Sequence, residues 1–395
     1  MSEHRIPLAV PFLTGNEKAY LLECLDTNFV SSVGPFVRRF EEEFAKQVGS
    51  RFAVACASGT AALHVAMRLV GVEPGDEVFV SSLTFIASAN PIVYERGVPV
   101  FVDSEAESWN MDPGLVAEEL DRRARLGLRQ PRALEVVHLL GQPARMEELV
   151  DACARHGVAL IEDASEALGA TYETGRFEGK QVGAIGLLGC FSFNGNKLLT
   201  CGGGGMITTN DPELARRAKH LTTQARLPGL EYRHDEVGYN YRLTNLAAAL
   251  GLAQLEKIDD LLGRKRANAK YYDAHLRNLE GVSFRPETPW ARASHWLHSI
   301  LVDPDRFGRT SRQTIDALQA DNIEARPIWS PLHTQAIFEG APMLGSGRVS
   351  SDLFAKALSL PSSCGLTNPE RARVVKALER ARIAAGPKVS AGAPR

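Results

Sequence analysis

The chain has 395 residues and a formal net charge of −2. That length suits two domains. The near-neutral balance supplies no broad basic field for nucleic acid or an anionic membrane, so any anionic ligand must be held by local groups. The six cysteines (24, 56, 153, 190, 201 and 364) form no Cys-x-x-Cys pair, which argues against a metal site or a disulfide framework and suits a reducing cytosol. No run of ~18 apolar residues is present to span a membrane. Met1-Ser-Glu-His-Arg-Ile-Pro7 lacks the apolar stretch of a signal peptide. A cytoplasmic protein with no membrane or nucleic-acid partner is expected.

From about residue 50 to 210, short apolar runs alternate with helical patterns. Seven runs read as strands: Phe52–Cys56, Glu77–Ser81, Val98–Val102, Leu134–Leu139, Val158–Glu162, Leu187–Phe193 and Gly205–Thr209. They are β-branched, bounded by Gly, Pro or Asp, and too short for helices. Helices are expected between them at Thr60–Val70, Pro113–Arg125 and Ala144–His156, the last with Met146, Leu149, Val150 and Cys153 on one face. Such alternation predicts an α/β fold whose mostly parallel seven-stranded sheet is covered by helices on both sides. Ligands of such sheets sit at the carboxyl ends of the strands. Arg242–Leu262 reads as one long helix leading into a smaller α+β domain, with a strand at Trp296–Val302 and a helix at Ser311–Ala320. The domains are then 1–256, with an N-terminal helical segment, and 257–385. Residues 386–395 have the composition of a disordered tail.

Two strand ends carry chemistry. Val158–Ala164 delivers an acid, Asp163, and the run 187–193 leads to Ser192-Phe-Asn-Gly-Asn-Lys197 ahead of the glycines 202–205. One acid and one lysine so placed suit pyridoxal phosphate (PLP): the acid keeps the pyridine nitrogen protonated, and the lysine holds the aldehyde as a Schiff base. Ala57-Ser-Gly-Thr60 joins a strand to a helix. Its free N–H groups and the helix dipole offer a phosphate site at Ser58, Gly59 and Thr60, although Ser58 can equally serve as a plain helix cap. Ser192 is a second hydroxyl for the phosphate. If the chain after Asp163 is helical, Glu166 shares its face. His295 and His298 might suggest metal ligands, but a Trp296–Val302 strand would put them on opposite faces and no third ligand is near, so no metal site is expected.

Glu162-Asp-Ala-Ser-Glu-Ala-Leu-Gly169, Ser192–Lys197 and Tyr239-Asn-Tyr-Arg-Leu-Thr-Asn245 occur in this order. Together they resemble the motifs of the DegT-like nucleotide-sugar aminotransferases, fold-type I PLP enzymes, over about Ile6 to Ala384. Within that family, Asn194–Lys197, Thr223-Gln-Ala-Arg226 and Arg326–Gln335 are similar to enzymes that aminate C4 of a UDP-linked 4-keto-6-deoxy-N-acetylhexosamine, the bacillosamine type. The resemblance implies PLP on Lys197, and its amino form PMP between two half reactions, with L-glutamate as the donor. It implies Phe85 stacked on the ring, Glu166 at the cofactor's phenolic oxygen or ring face, and Asn194 in the cofactor site. It implies a homodimer with shared active sites, in which Asn240 reaches the neighbour's cofactor. His138, Arg242, Arg326, Trp329 and His333 are the expected substrate groups, with Arg326 and His333 suited to a diphosphate and Trp329 to a base or sugar. GDP-perosamine synthesis and amination of a dTDP-ketosugar at C3 or C4 stay open as alternatives. A ketosugar dehydratase of the same fold would replace the lysine with histidine, and a non-enzymatic regulator would not need to keep Lys197 and Asp163.

Overall fold

The computed structural model describes residues 4–286 and 288–383. The tail expected to be disordered lies outside them. The strands in chain order are β1 Phe52–Cys56, β2 Glu77–Ser81, β3 Val98–Val102, β4 Ala133–Val137, β5 Ala159–Asp163, β6 Thr171–Tyr172, β7 Leu188–Ser192, β8 Gly205–Thr209, β9 Val282–Phe284, β10 Ala291–Arg292, β11 His298–Val302, β12 Arg326–Pro327, β13 Met343–Leu344 and β14 Ala357–Leu360.

The large sheet runs β1-β8-β7-β5-β4-β2-β3-β13. Only β8 runs against the rest, pairing antiparallel with β7 and β1. The sheet therefore has eight strands, one more than expected. The eighth, β13, comes from far along the chain and adds parallel to β3, Met343 opposite Phe101. Two residues make too short an apolar run to announce a strand.

Strand alternation gives each face its own core. Phe79, Leu134, Leu160, Phe191 and Met206 pack on one side with Phe40 and Phe44 of helix Pro35–Val48. Val80, Ala133, Ile161, Cys190 and Ile207 pack on the other with helix Gly59–Leu69. Helices Pro113–Leu126 and Pro212–Thr222 start where the pattern allows: Asp112 and Asp211 cap them, proline follows each cap, and proline at the first helical position loses no hydrogen bond.

The expected helix Arg242–Leu262 is two helices. Thr244 is extended and its hydroxyl accepts from the Ala247 N–H, so the first helix runs Asn245–Leu255. The second, Ile258–Leu276, opens with Asp259 and Asp260 in its first turn, where acids favour a helix start. The apolar spacing continues through the break and hides it.

A smaller antiparallel sheet, β12-β14-β11-β9, packs with helices Ile258–Leu276, Ser311–Ala320 and Asn368–Ala381 around Tyr272, Ile300, Leu318, Leu358 and Leu378. Ile6, from the far N-terminal side, lies in this core and its N–H donates to the Asn322 carbonyl. Leu332 and Phe338 return to the core of the large sheet. The chain thus crosses between the two bodies at both ends as well as near residue 257. Among the described residues no helix is long and apolar enough to cross a membrane.

Candidate active site

The ends of β5 and β7 and the start of helix Gly59–Leu69 converge on a pocket of about 300 Å³. Its walls include Ser58, Gly59, Thr60, Phe85, Asp163, Glu166, Ser192, Asn194, Lys197 and Trp329. Ten of the residues expected from sequence therefore face one space.

Glycine makes the approach possible. A Cβ on Gly59 would lie 2.7 Å from the Ser192 Cβ, and one on Gly205 only 2.3 Å from the Ser58 carbonyl oxygen. The helix start is thereby pressed against the strand ends. Ser58 is extended and caps the helix, its Oγ accepting from the Ala61 N–H at 3.0 Å. The capping reading of Ser58 is thus correct, and it coexists with a place in the pocket wall.

Asp163 is 5 % exposed. Its Oδ2 accepts from the Ser88 hydroxyl at 2.8 Å and its Oδ1 from the Ser165 N–H at 3.1 Å. Ser88 is held in turn by Thr84 at 2.9 Å. The chain after Asp163 forms a turn rather than a helix, yet Glu166 still reaches the pocket. Its carboxylate accepts from the Leu140 N–H at 2.7 Å and from the Trp329 indole N–H at 2.9 Å. Burial raises its pKa, with the nearby Lys197 charge and these two donors opposing.

Lys197 does not stand on the strand. β7 stops at Ser192, and Lys197 lies in the turn that follows, its N–H donating to the Asn194 carbonyl at 3.0 Å. The amine sits 4.0 Å from the centre of the Trp296 ring, and that indole donates to the Asn196 carbonyl at 2.7 Å. Burial lowers the lysine pKa; the charges of Glu166 and Asp163 hold it up. The pair expected at two strand ends is one strand end and one turn.

Five expected residues, His138, Asn240, Arg242, Arg326 and His333, lie elsewhere. His138 is wholly buried at the end of β4. One ring nitrogen meets Glu162 at 3.0 Å, and the other accepts from the Ala144 N–H at 3.0 Å. Alternation places Glu162 on the opposite face from Asp163, so His138 braces the sheet. Glu162 also accepts from the N–H groups of Gly183, Ile185 and Gly186. Arg326 is exposed and pairs with Glu324 at 3.1 Å, because β12 edges the small sheet. His333 is tied to the Ser82 hydroxyl at 2.6 Å behind the pocket. Of the cluster Arg326, Trp329 and His333, only Trp329 faces the pocket. Arg242 lines a surface cleft with Arg226, Tyr232 and His234.

Asn240 is exposed and bridges to Thr223; it does not line the pocket of its own protomer. The expected opposition of His295 and His298 also fails: β11 begins only at His298, and the rings lie 6.0 Å apart.

Ser88 and Trp296 were not anticipated. Ser88 follows the expected Phe85 by one turn. Trp296 sits in the segment read as a strand, where its side-chain direction gave no pointer to the pocket.

The donor set fits PLP. A helix N-terminus and two hydroxyls suit a phosphate, Asp163 suits a ring nitrogen, the half-exposed Phe85 offers a ring face, and Lys197 is within the same walls. The family model described as the DegT/DnrJ/EryC1/StrS aminotransferase family matches residues 11–379. The chain belongs to this family. Its enzymes are PLP-dependent transaminases, and so is this one. It is 43 % identical, over 95 % of each chain, to EpsN of Bacillus subtilis (strain 168), provisionally named a pyridoxal phosphate-dependent aminotransferase. It is 38 % identical to the GDP-perosamine synthase of Caulobacter vibrioides, over 95 % of this chain and 98 % of that one. Among solved structures, S. venezuelae DesV in complex with a ketimine intermediate matches with a TM-score of 0.82 at 32 % identity, over 95 % of this chain and 98 % of that one.

Proposed function

We propose that this transaminase moves an amino group from L-glutamate to the C4 ketone of a UDP-linked 4-keto-6-deoxy-N-acetylhexosamine, giving a UDP-4-amino sugar. The observation that carries the transamination chemistry is Lys197 and Asp163 facing one pocket beside the Ser58–Thr60 helix start. When bound, PLP supplies the electron sink that lets the amino group leave one carbon and join another. Lys197 then takes the proton from the donor Cα and later returns one to the sugar C4. Its lowered pKa favours the neutral amine this needs. Asp163, fixed by Ser88 and Ser165, keeps a proton on the ring nitrogen. Phe85, whose ring centre is 5.0 Å from that of Trp329, would offer its face to the cofactor ring. Glu166 and Trp329 form part of the pocket wall.

The C4 position and the UDP group rest on the sequence segments Asn194–Lys197, Thr223–Arg226 and Arg326–Gln335, and on Glu166 in place of the glutamine many family members carry. Because Arg326 lies away from the pocket, we assign the diphosphate to Arg242 together with Arg226, presented by a second copy of the chain alongside Asn240. The second reading, GDP-perosamine synthesis, is favoured by the 38 % identity to the Caulobacter enzyme. Incubation with L-glutamate and a panel of UDP-, GDP- and dTDP-4-ketosugars, read by mass spectrometry, separates them. Amination of the UDP sugar well ahead of the others is expected; preference for the GDP sugar would move the assignment to perosamine.

A further inference from the structure

Behind the Trp296 wall lies a second cavity, of about 370 Å³, between the two bodies. That volume is within the range of small-molecule sites, roughly 300–1,000 Å³. Trp109 and Gln142 line it from the large body; Phe284, Arg285, His295 and His298 line it from the other. Trp296, which faces Lys197, stands between His295 and Leu297 of this cavity. We propose that this cavity is a second ligand site, for a small molecule carrying an oxyanion, phosphate or carboxylate, gripped by Arg285.

The argument is one of unbalanced charge. Among the described residues, three arginines, Arg266, Arg285 and Arg292, line the cavity against one acid, Asp273. Asp273 lies 3.2 Å from His298 without a hydrogen bond between them, and its charge also acts on Arg285. Arg266 spends its donors on the carbonyls of Ala293 and Gly169, both at 3.0 Å. Arg285 has only the ring of Trp109, its guanidinium carbon 5.9 Å from the ring centre. Among the described residues it makes no hydrogen bond and no ion pair. Desolvation lowers its pKa to about 10, with only the fields of Asp273 and Glu105 opposing.

Arg285 is half-buried at the cavity wall, and its guanidinium has no hydrogen-bond partner there, so its donors are free for a ligand. Five N–H donors in a planar fork match the two oxygens of a carboxylate or phosphate. His295 adds a ring that burial and the Arg285 charge keep neutral by lowering its pKa. A neutral imidazole can donate one hydrogen bond to an oxyanion without a proton being supplied.

The test is isothermal titration of the PLP-loaded protein at low ionic strength with inorganic phosphate, UDP and 2-oxoglutarate, for wild type, Arg285→Met and Arg285→Lys. At least one of the three should bind the wild type and weaken tenfold or more in Arg285→Met. Arg285→Lys, which keeps the charge but not the fork, should fall between. Phosphate alone would mark a simple oxyanion site; stronger binding of UDP or 2-oxoglutarate, lost with Arg285, would identify a nucleotide or a dicarboxylate as the ligand class. Ligand-free Arg285→Met should melt no lower than wild type, because an unpaired charge is removed. Should that variant fail to fold, Arg285→Lys and His295→Asn carry the comparison. The proposal is overturned if none of the three probes loses affinity with Arg285, whether they bind only the active pocket or do not bind at all. Neither result bears on the transamination assay.

Discussion

At the ends of β5 and β7 the acids and the amine have their partners inside one protomer. Asp163 has Ser88 and Ser165, Glu166 has Leu140 and Trp329, and Lys197 has the face of Trp296. The segment from Thr223 to Arg242 is different. Leu230 is 98 % exposed, Tyr232 79 % and Val237 77 %. The Arg242 Nε is buried without a hydrogen-bond partner, and Asn240 faces away from its own pocket. Contiguous exposed apolar patches mark interaction surfaces. The first region is finished by the fold of a single chain; in the dimer proposed above, the second is the surface that another copy would cover.

The comparison breaks most directly at Asp163. Asparagine can still accept from Ser88 but cannot keep a proton on the ring nitrogen. Asp163→Asn should therefore lose roughly 10³-fold or more in turnover while still binding PLP. A loss under about tenfold, measured at saturating substrate, would remove Asp163 from beneath the ring.

Complementation probes the second region. Mixing Lys197→Ala and Asn240→Ala subunits under exchange conditions should restore activity above both parents. If Asn240 serves the neighbour, one of the two sites in a heterodimer carries both defects and the other carries neither. About half of wild-type activity is then expected for pure heterodimer, and about a quarter for a random mixture. No recovery despite verified exchange would place Asn240 in its own site or in none.

Glu166 offers a smaller, signed effect. Its charge helps hold up the Lys197 pKa against burial. Glu166→Gln should lower that pKa further, so the amine becomes neutral at lower pH. NMR titration of Lys197 in cofactor-free protein checks this; an unchanged or higher midpoint would separate the two groups. Least of all is expected from Arg326→Ala. Its ion pair with Glu324 is on the surface, where such pairs contribute ~0–1 kcal/mol. Activity should stay within about twofold, and a large rise in KM for the sugar would restore Arg326 to the substrate site.

The sheet was legible because a parallel strand buried on both faces is a short apolar run, and seven of its eight strands are such runs. β13, two residues long, carries no such signal. The pocket was legible where motif and strand end coincide, at Ser58–Thr60, Asp163 and Ser192. It was illegible where direction matters. His138 directly follows β4 while Asp163 ends β5, and its ring turns to Glu162 on the other face. Arg326, Trp329 and His333 are close in sequence, yet an edge strand and a 3₁₀ turn at Leu332–Thr334 send them three ways. Trp296 was hidden because β11 starts at His298, two residues later than the pattern indicates, and leaves Trp296 outside the strand.

The central claim is that Lys197 is the residue that takes PLP. Borohydride reduction of the PLP-loaded protein, followed by digestion and peptide mass spectrometry, tests it most directly. The phosphopyridoxyl group should appear on the peptide containing Lys197 and be absent from Lys197→Ala protein. The label on another lysine, or an undiminished label in Lys197→Ala, would contradict the account.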